Sequence, residues 1–86
     1  MDGARRLMPR SIRWLDDAWA QLGELPEQLR KEALATAGRL MADPLPAESQ
    51  TYEAVLDTYL LASGQVSLFY RVIGDAIDVV RVRPNS

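Results

Sequence analysis

The residues best suited to chemistry in this 86-residue chain are three arginines near its C-terminal end, Arg71, Arg81 and Arg83. Arg81 and Arg83 alternate, so in an extended strand both point to one face. Guanidinium groups bind phosphate or carboxylate oxygens, and fixed positive charge can stabilise a charge that develops in a reaction. Two readings of Arg81 and Arg83 stay open: a contact to phosphate or to an acidic partner, or solubilising charges on an edge strand. Ser67 would be a nucleophile only beside a base. The chain has no histidine and no cysteine, which removes the histidine general base, thiol nucleophiles, disulfides and the usual zinc sites. No cofactor and no metal site is expected.

These arginines must be positioned by residues 66–83, VSLFYRVIGDAIDVVRVR, where two β-rich runs flank Gly74 and Asp75. A two-residue Gly-X loop favours a tight primed turn, so the stretch reads as a β-hairpin. Closing it there pairs Ile73 with Ala76, Val72 with Ile77, Arg71 with Asp78, Tyr70 with Val79, Phe69 with Val80 and Leu68 with Arg81. Leu68, Tyr70, Val72, Ile77 and Val79 then share one face, which makes Tyr70 a core aromatic. Arg71 becomes the structural partner of Asp78, a cross-strand pair worth roughly 0.2–1 kcal/mol. Both faces of the hairpin are largely apolar, so other elements must cover them.

The cover comes from two helices. Asp16 and Asp17 suit the positive end of a helix dipole, and Leu15, Ala18, Trp19 and Leu22 follow on one face until Gly23. Pro26 is placed to open a second helix, in which Leu29, Ala33, Ala37, Leu40 and Met41 form a stripe with Leu34 beside it. Trp14 and Trp19 read as core, or as a groove that receives a partner helix. Residues 11–15 form a short edge strand with Ile12 and Trp14 facing one way. Pro44 and Pro46 make residues 43–50 a loop. Residues 51–62 read as helix from Val55, Leu56, Tyr59 and Leu60, or as a strand over 58–62. The strand is preferred, because a turn at Ser63 and Gly64 then completes a three-stranded meander.

The expected fold class is therefore α+β, a small antiparallel sheet of an N-terminal strand and a C-terminal meander packed against an αα-hairpin. Residues 1–10 read as a flexible basic arm and 11–86 as a single domain. Charge is uneven: +3 over residues 1–13, −6 over 14–65 and +1 over 66–86, for a net −2. A nucleic-acid binder usually concentrates its positive charge, whereas here two small basic ends flank an acidic middle. No run is long enough to span a membrane, and residues 1–10 lack the apolar core of a secretion signal. The expected location is the cytoplasm, with no membrane partner.

This order of elements resembles the RelE/ParE superfamily of toxins from type II toxin–antitoxin systems, over roughly residues 11–83. Leu25, Pro26 and Glu27 resemble the family's interhelical corner, and Leu40, Asp43 and Pro44 its helix-ending L-x-x-D-P. Residues 66–72 and 77–82, around Gly74 and Asp75, resemble its closing hairpin. The resemblance implies a cognate antitoxin as partner and, for RelE-type members, ribosome-dependent cleavage of mRNA. In those members a basic cluster activates a ribose 2′-hydroxyl, stabilises the phosphate and protonates the leaving oxygen.

This chain departs from that pattern. The family's hairpin arginine falls on Ser67, its preceding basic positions fall near Leu60 and Ala62, and its basic tail is replaced by Pro84, Asn85 and Ser86. The resemblance thus implies a toxin-like component neutralised by an antitoxin and lacking efficient ribonuclease chemistry, with either a ParE-like protein target such as DNA gyrase or no toxicity at all. Two alternatives stand beside it. One is a ribosome-dependent mRNA endonuclease with Arg71, Arg81 and Arg83 as its catalytic residues; the other is a non-catalytic interaction domain, forming a homodimer through an edge strand.

Overall fold

The computed structural model describes residues 11–52 and 57–85. The basic arm expected at residues 1–10, and Val55 and Leu56 of the alternative helix, lie outside the described residues. The hairpin forms from β4 (Val66–Ile73) and β5 (Ala76–Pro84). Gly74 adopts φ +57° and Asp75 has no positive φ, the pattern of a II′ turn with glycine at its first central position.

The four expected pairs next to the turn form, from Ile73 with Ala76 to Tyr70 with Val79. The next two do not. The register shifts between Phe69 and Tyr70, so Phe69 meets Arg81 and Leu68 meets Val82, leaving Val80 as the extra residue of a β-bulge. Strict alternation after Ile77 and Val79 would carry Arg81 and Arg83 into the core. The bulge resets the period, so that Val82 is buried and both arginines are exposed. Burying an unpaired guanidinium would cost far more than one disturbed ladder step.

The strand β3 (Tyr59–Ser63) completes the meander, pairing Tyr59 with Tyr70 and Ser63 with Val66. Its turn lies at Gly64 and Gln65, one residue beyond the expected position, with Gly64 at φ +61°. A two-residue strand β2 (Gln50–Thr51) emerges at the end of the proline loop and pairs with Leu60 and Tyr59. On the opposite edge β1 (Ser11–Trp14) runs parallel to β5, placing Arg13 beside Asp78. The sheet order is β1-β5-β4-β3-β2.

The helices α1 (Asp16–Glu24) and α2 (Glu27–Ala42) lie on one face of this sheet, α1 along β5 and α2 along β4. Helix α1 continues through Gly23 to Glu24, and the Leu25 N–H then donates to the Leu22 carbonyl at 3.2 Å. Ala18 and Leu22 from α1 and Ala33, Ala37 and Leu40 from α2 are buried against Leu61, Leu68, Tyr70, Ile77 and Val79. Each buried leucine or isoleucine contributes about 1.5–3 kcal/mol. Thr36 joins the buried stripe because its hydroxyl donates to the Glu32 carbonyl at 2.9 Å, which satisfies it inside the helix.

Two apolar helix residues expected toward the sheet are exposed, Leu34 beside the α2 stripe at 47% and Trp19 of α1. Trp19 is 63% exposed, whereas Trp14 is half-buried against the core. Ala18 takes the inward position, so α1 approaches β5 through a small side chain, and Trp19 is turned about 100° further round the helix. No helix among the described residues is long and apolar enough to cross a membrane.

Candidate functional site

With both helices on one face, the opposite face of the sheet is left to the arginines, and its electrostatics turn on Asp78. Asp78 lies across from Arg71, as expected, but Arg13 takes its carboxylate instead. Arg13 donates from Nε to Oδ1 at 2.7 Å and from Nη2 to Oδ2 at 2.8 Å. The parallel pairing of β1 sets Arg13 directly beside Asp78, and the guanidinium fork matches both oxygens at once. The Asp78 side chain is 4% exposed. Hydrogen bonding from Arg13 holds its carboxyl below the usual aspartate range despite burial, with the charges of Arg13 and Arg71 adding to the effect. The same pair raises the Arg13 guanidinium.

Arg71 is thereby left without that ion pair. Its Nε is buried and has no hydrogen-bond partner among the described residues. It lines a cleft of about 470 Å³ together with Tyr52, Thr58, Phe69, Val80 and Arg81. The Tyr52 ring packs edge-on against Phe69, with centroids 4.9 Å apart, and the Tyr52 N–H donates to the Thr58 carbonyl at 2.7 Å. The cleft is walled by aromatic and aliphatic groups and carries two cations.

Of the three candidate catalytic residues, Arg71 and Arg81 are brought into one cleft. Arg83 is not among the described residues lining it. It lies across from Ser67 and, with Arg81, borders a second groove of about 570 Å³ between the end of α1 and the free edge of β5. The Gln21 side chain accepts the Val82 N–H there at 2.8 Å, so α1 caps an edge donor that β1 does not reach. The Ser67 hydroxyl donates to Asn85 Oδ1, and Asn85 Nδ2 donates to the Gly64 carbonyl at 2.9 Å. Ser67 is thus engaged in holding the end of β5.

Tyr70 is fully buried, and its hydroxyl donates to the Pro44 carbonyl at 2.9 Å. Burial pushes its phenol above the ordinary range. This bond ties the proline loop to the core, and from that loop the chain runs into β2 and Tyr52.

The face can hold an anion and stabilise negative charge. Arginine stays protonated and cannot serve as a general base, and no described residue lining the cleft is a carboxylate or an imidazole. Among the described residues no group of three His, Cys, Asp or Glu side chains could hold a metal ion. Sequence reasoning missed Arg13 as the partner of Asp78 and Tyr52 as a wall of the cleft. The alternation of Arg13 with Ile12 and Trp14 could have placed it on the open face, but parallel pairing of β1 carries no local signal. Tyr52 adjoins a stretch whose period fits helix and strand alike.

This fold, a five-stranded sheet in the order given with two helices on one face, matches that of solved RelE toxin structures. The chain is similar to a chain of the RelBE2 toxin–antitoxin complex from Mycobacterium tuberculosis, with TM-score 0.78 and 23% identity over 90% of this chain and 99% of that one. It is similar to the isolated E. coli RelE toxin, with TM-score 0.75 and 15% identity over 90% and 85% of the two chains. It also resembles a chain of the chromosomal ParDE system of P. aeruginosa, with TM-score 0.63 and 19% identity over 90% and 97%. No protein-family model and no curated protein matches the sequence. At these identities the likeness is one of fold.

Proposed function

We propose that the protein is the toxin-fold component of a type II toxin–antitoxin module, neutralised in the cytoplasm by binding an antitoxin and lacking efficient ribonuclease chemistry. The observation that carries this reading is the near full-length superposition on chains from toxin–antitoxin complexes. The second half of the reading is supported by the open face. Across it run Leu60, Phe69 and Arg81, then Ala62, Ser67 and Arg83, so each of these two rows holds a single cation, and in the next row Arg13 is engaged with Asp78. Cleaving RNA requires a base for the 2′-hydroxyl and an acid for the leaving oxygen, and arginines supply neither efficiently. A ParE-like action on a protein such as DNA gyrase fits this face better.

One observation favours a second reading. Arg71 and Arg81 share a cleft with two aromatic rings, which suits a phosphate beside a stacked base, as a ribosome-dependent mRNA endonuclease would need. Purified protein in a cell-free translation reaction, with mRNA ends mapped by primer extension and a gyrase supercoiling assay alongside, separates the two. The proposal expects intact mRNA. Codon-phased cuts that disappear in an Arg81→Ala, Arg83→Ala double variant would transfer the assignment to the endonuclease.

A further inference from the structure

Arg71 is a charged side chain whose cross-strand carboxylate is already occupied. The strand register sets it opposite Asp78, yet both Asp78 oxygens are engaged by Arg13, and the buried Arg71 Nε lacks an acceptor among the described residues. Buried donors are nearly always satisfied, so an acceptor beyond the described residues is the natural complement. A second guanidinium, Arg81, borders the same cleft.

We propose that this cleft receives a side-chain carboxylate from an acidic, apolar-flanked segment of the partner protein. The carboxylate lies between Arg71 and Arg81, and its apolar neighbour packs against Tyr52, Phe69 and Val80. The inference rests on the antitoxin reading above and names the chemistry of the contact.

Three observations favour a carboxylate on a protein segment over a nucleic-acid phosphate. Two guanidiniums match one carboxylate through paired N–H donors, whereas a phosphate chain needs a continuing row of cations. The chain carries −6 over residues 14–65, which disfavours an extended polyanion but accepts a single negative group. The edge-on Tyr52 and Phe69 pair and the bulged Val80 give the cleft apolar walls, and about 470 Å³ suits one acidic and one aliphatic side chain. The ion pair to Arg13 also neutralises Asp78, so the incoming carboxylate does not meet a bare like charge.

The test uses the full-length chain. A capped peptide carrying one aspartate between two leucines, and its asparagine counterpart, are titrated at neutral pH while the Arg71 Nε–H cross-peak is followed by ¹H–¹⁵N NMR. That peak is assigned by its loss in Arg71→Lys. The proposal expects a saturable shift with the aspartate peptide, binding of the asparagine peptide weaker by about tenfold or more, and weaker aspartate-peptide binding in Phe69→Ala. Equal binding of the two peptides, an unmoved Arg71 peak, or an RNA trinucleotide that shifts the peak at lower concentration than the peptide would each overturn it. If the cleft fails this test while the chain still forms a stoichiometric complex with the product of the adjoining reading frame, the cleft assignment falls and the antitoxin reading stands.

Discussion

Arg13 on the edge strand closes both oxygens of Asp78 on the neighbouring strand, at 2.7 and 2.8 Å, and so displaces Arg71 from the ion pair that strand register alone would give it. One contact therefore does two things. It fastens β1 to β5, and it leaves a guanidinium available to the open face.

The pair sets an acid-side pH dependence. Asp78 titrates below its usual value when folded, so its stabilisation is present above the unfolded aspartate pKa of about 3.9 and is lost as pH falls through the lower folded value. Thermal melts of Asp78→Asn at neutral pH should show a lower midpoint than wild type. The gap should narrow as the pH is lowered below about 4, and a gap that widened instead would exclude the assigned pair.

Tyr70 sets the opposite limb. Its phenol titrates above the ordinary value because it is buried, so the stabilisation is present below the unfolded tyrosine pKa of about 10 and is lost as pH rises through the folded value. Tyr70→Phe removes the donor to Pro44 and should cost about 1 kcal/mol at neutral pH. Chemical denaturation across the alkaline range should find the variant's stability flatter than that of wild type.

Gly64 is fixed by its turn. It has φ +61°, and a Cβ there would run into the Glu32 carboxylate, whose Oε1 accepts the Gln65 N–H at 2.6 Å. Gly64→Ala should lose roughly 1–3 kcal/mol by urea denaturation. Gly23→Ala is the control, since nothing lies within 4 Å of its added Cβ, and it should be neutral or slightly stabilising.

The bulge makes a prediction about chain length. Deleting Val80 leaves Leu68 opposite Val82 and Phe69 opposite Arg81 in an unbroken ladder. The deletion variant should fold cooperatively, with a stability change of about 1 kcal/mol or less, whereas Leu61→Ala in the core should lose about 2–5 kcal/mol. Circular dichroism melts of both variants check this.

Local chemistry made much of the architecture readable. The Gly74 turn, the apolar stripe of α2 and the prolines at 44 and 46 each dictate their own conformation, and all three stand as expected. What sequence patterning hid depends on distant neighbours. The bulge at Val80 is settled by where Val82 must be buried, the exposure of Trp19 by how closely Ala18 brings α1 to β5, and the Arg13 pair by a parallel pairing that spans most of the chain. At the candidate site, the arginines were legible because charge alternates visibly along a strand. The aromatic wall was not, because it joins Tyr52 and Phe69 across separate elements.

The most direct test of the account is to co-express the chain with the product of the reading frame that adjoins its gene, and to measure the mass of the purified species by light scattering. The account predicts a stable hetero-complex containing both proteins. A homodimer or monomer of this chain alone, with the second protein eluting separately, would contradict it.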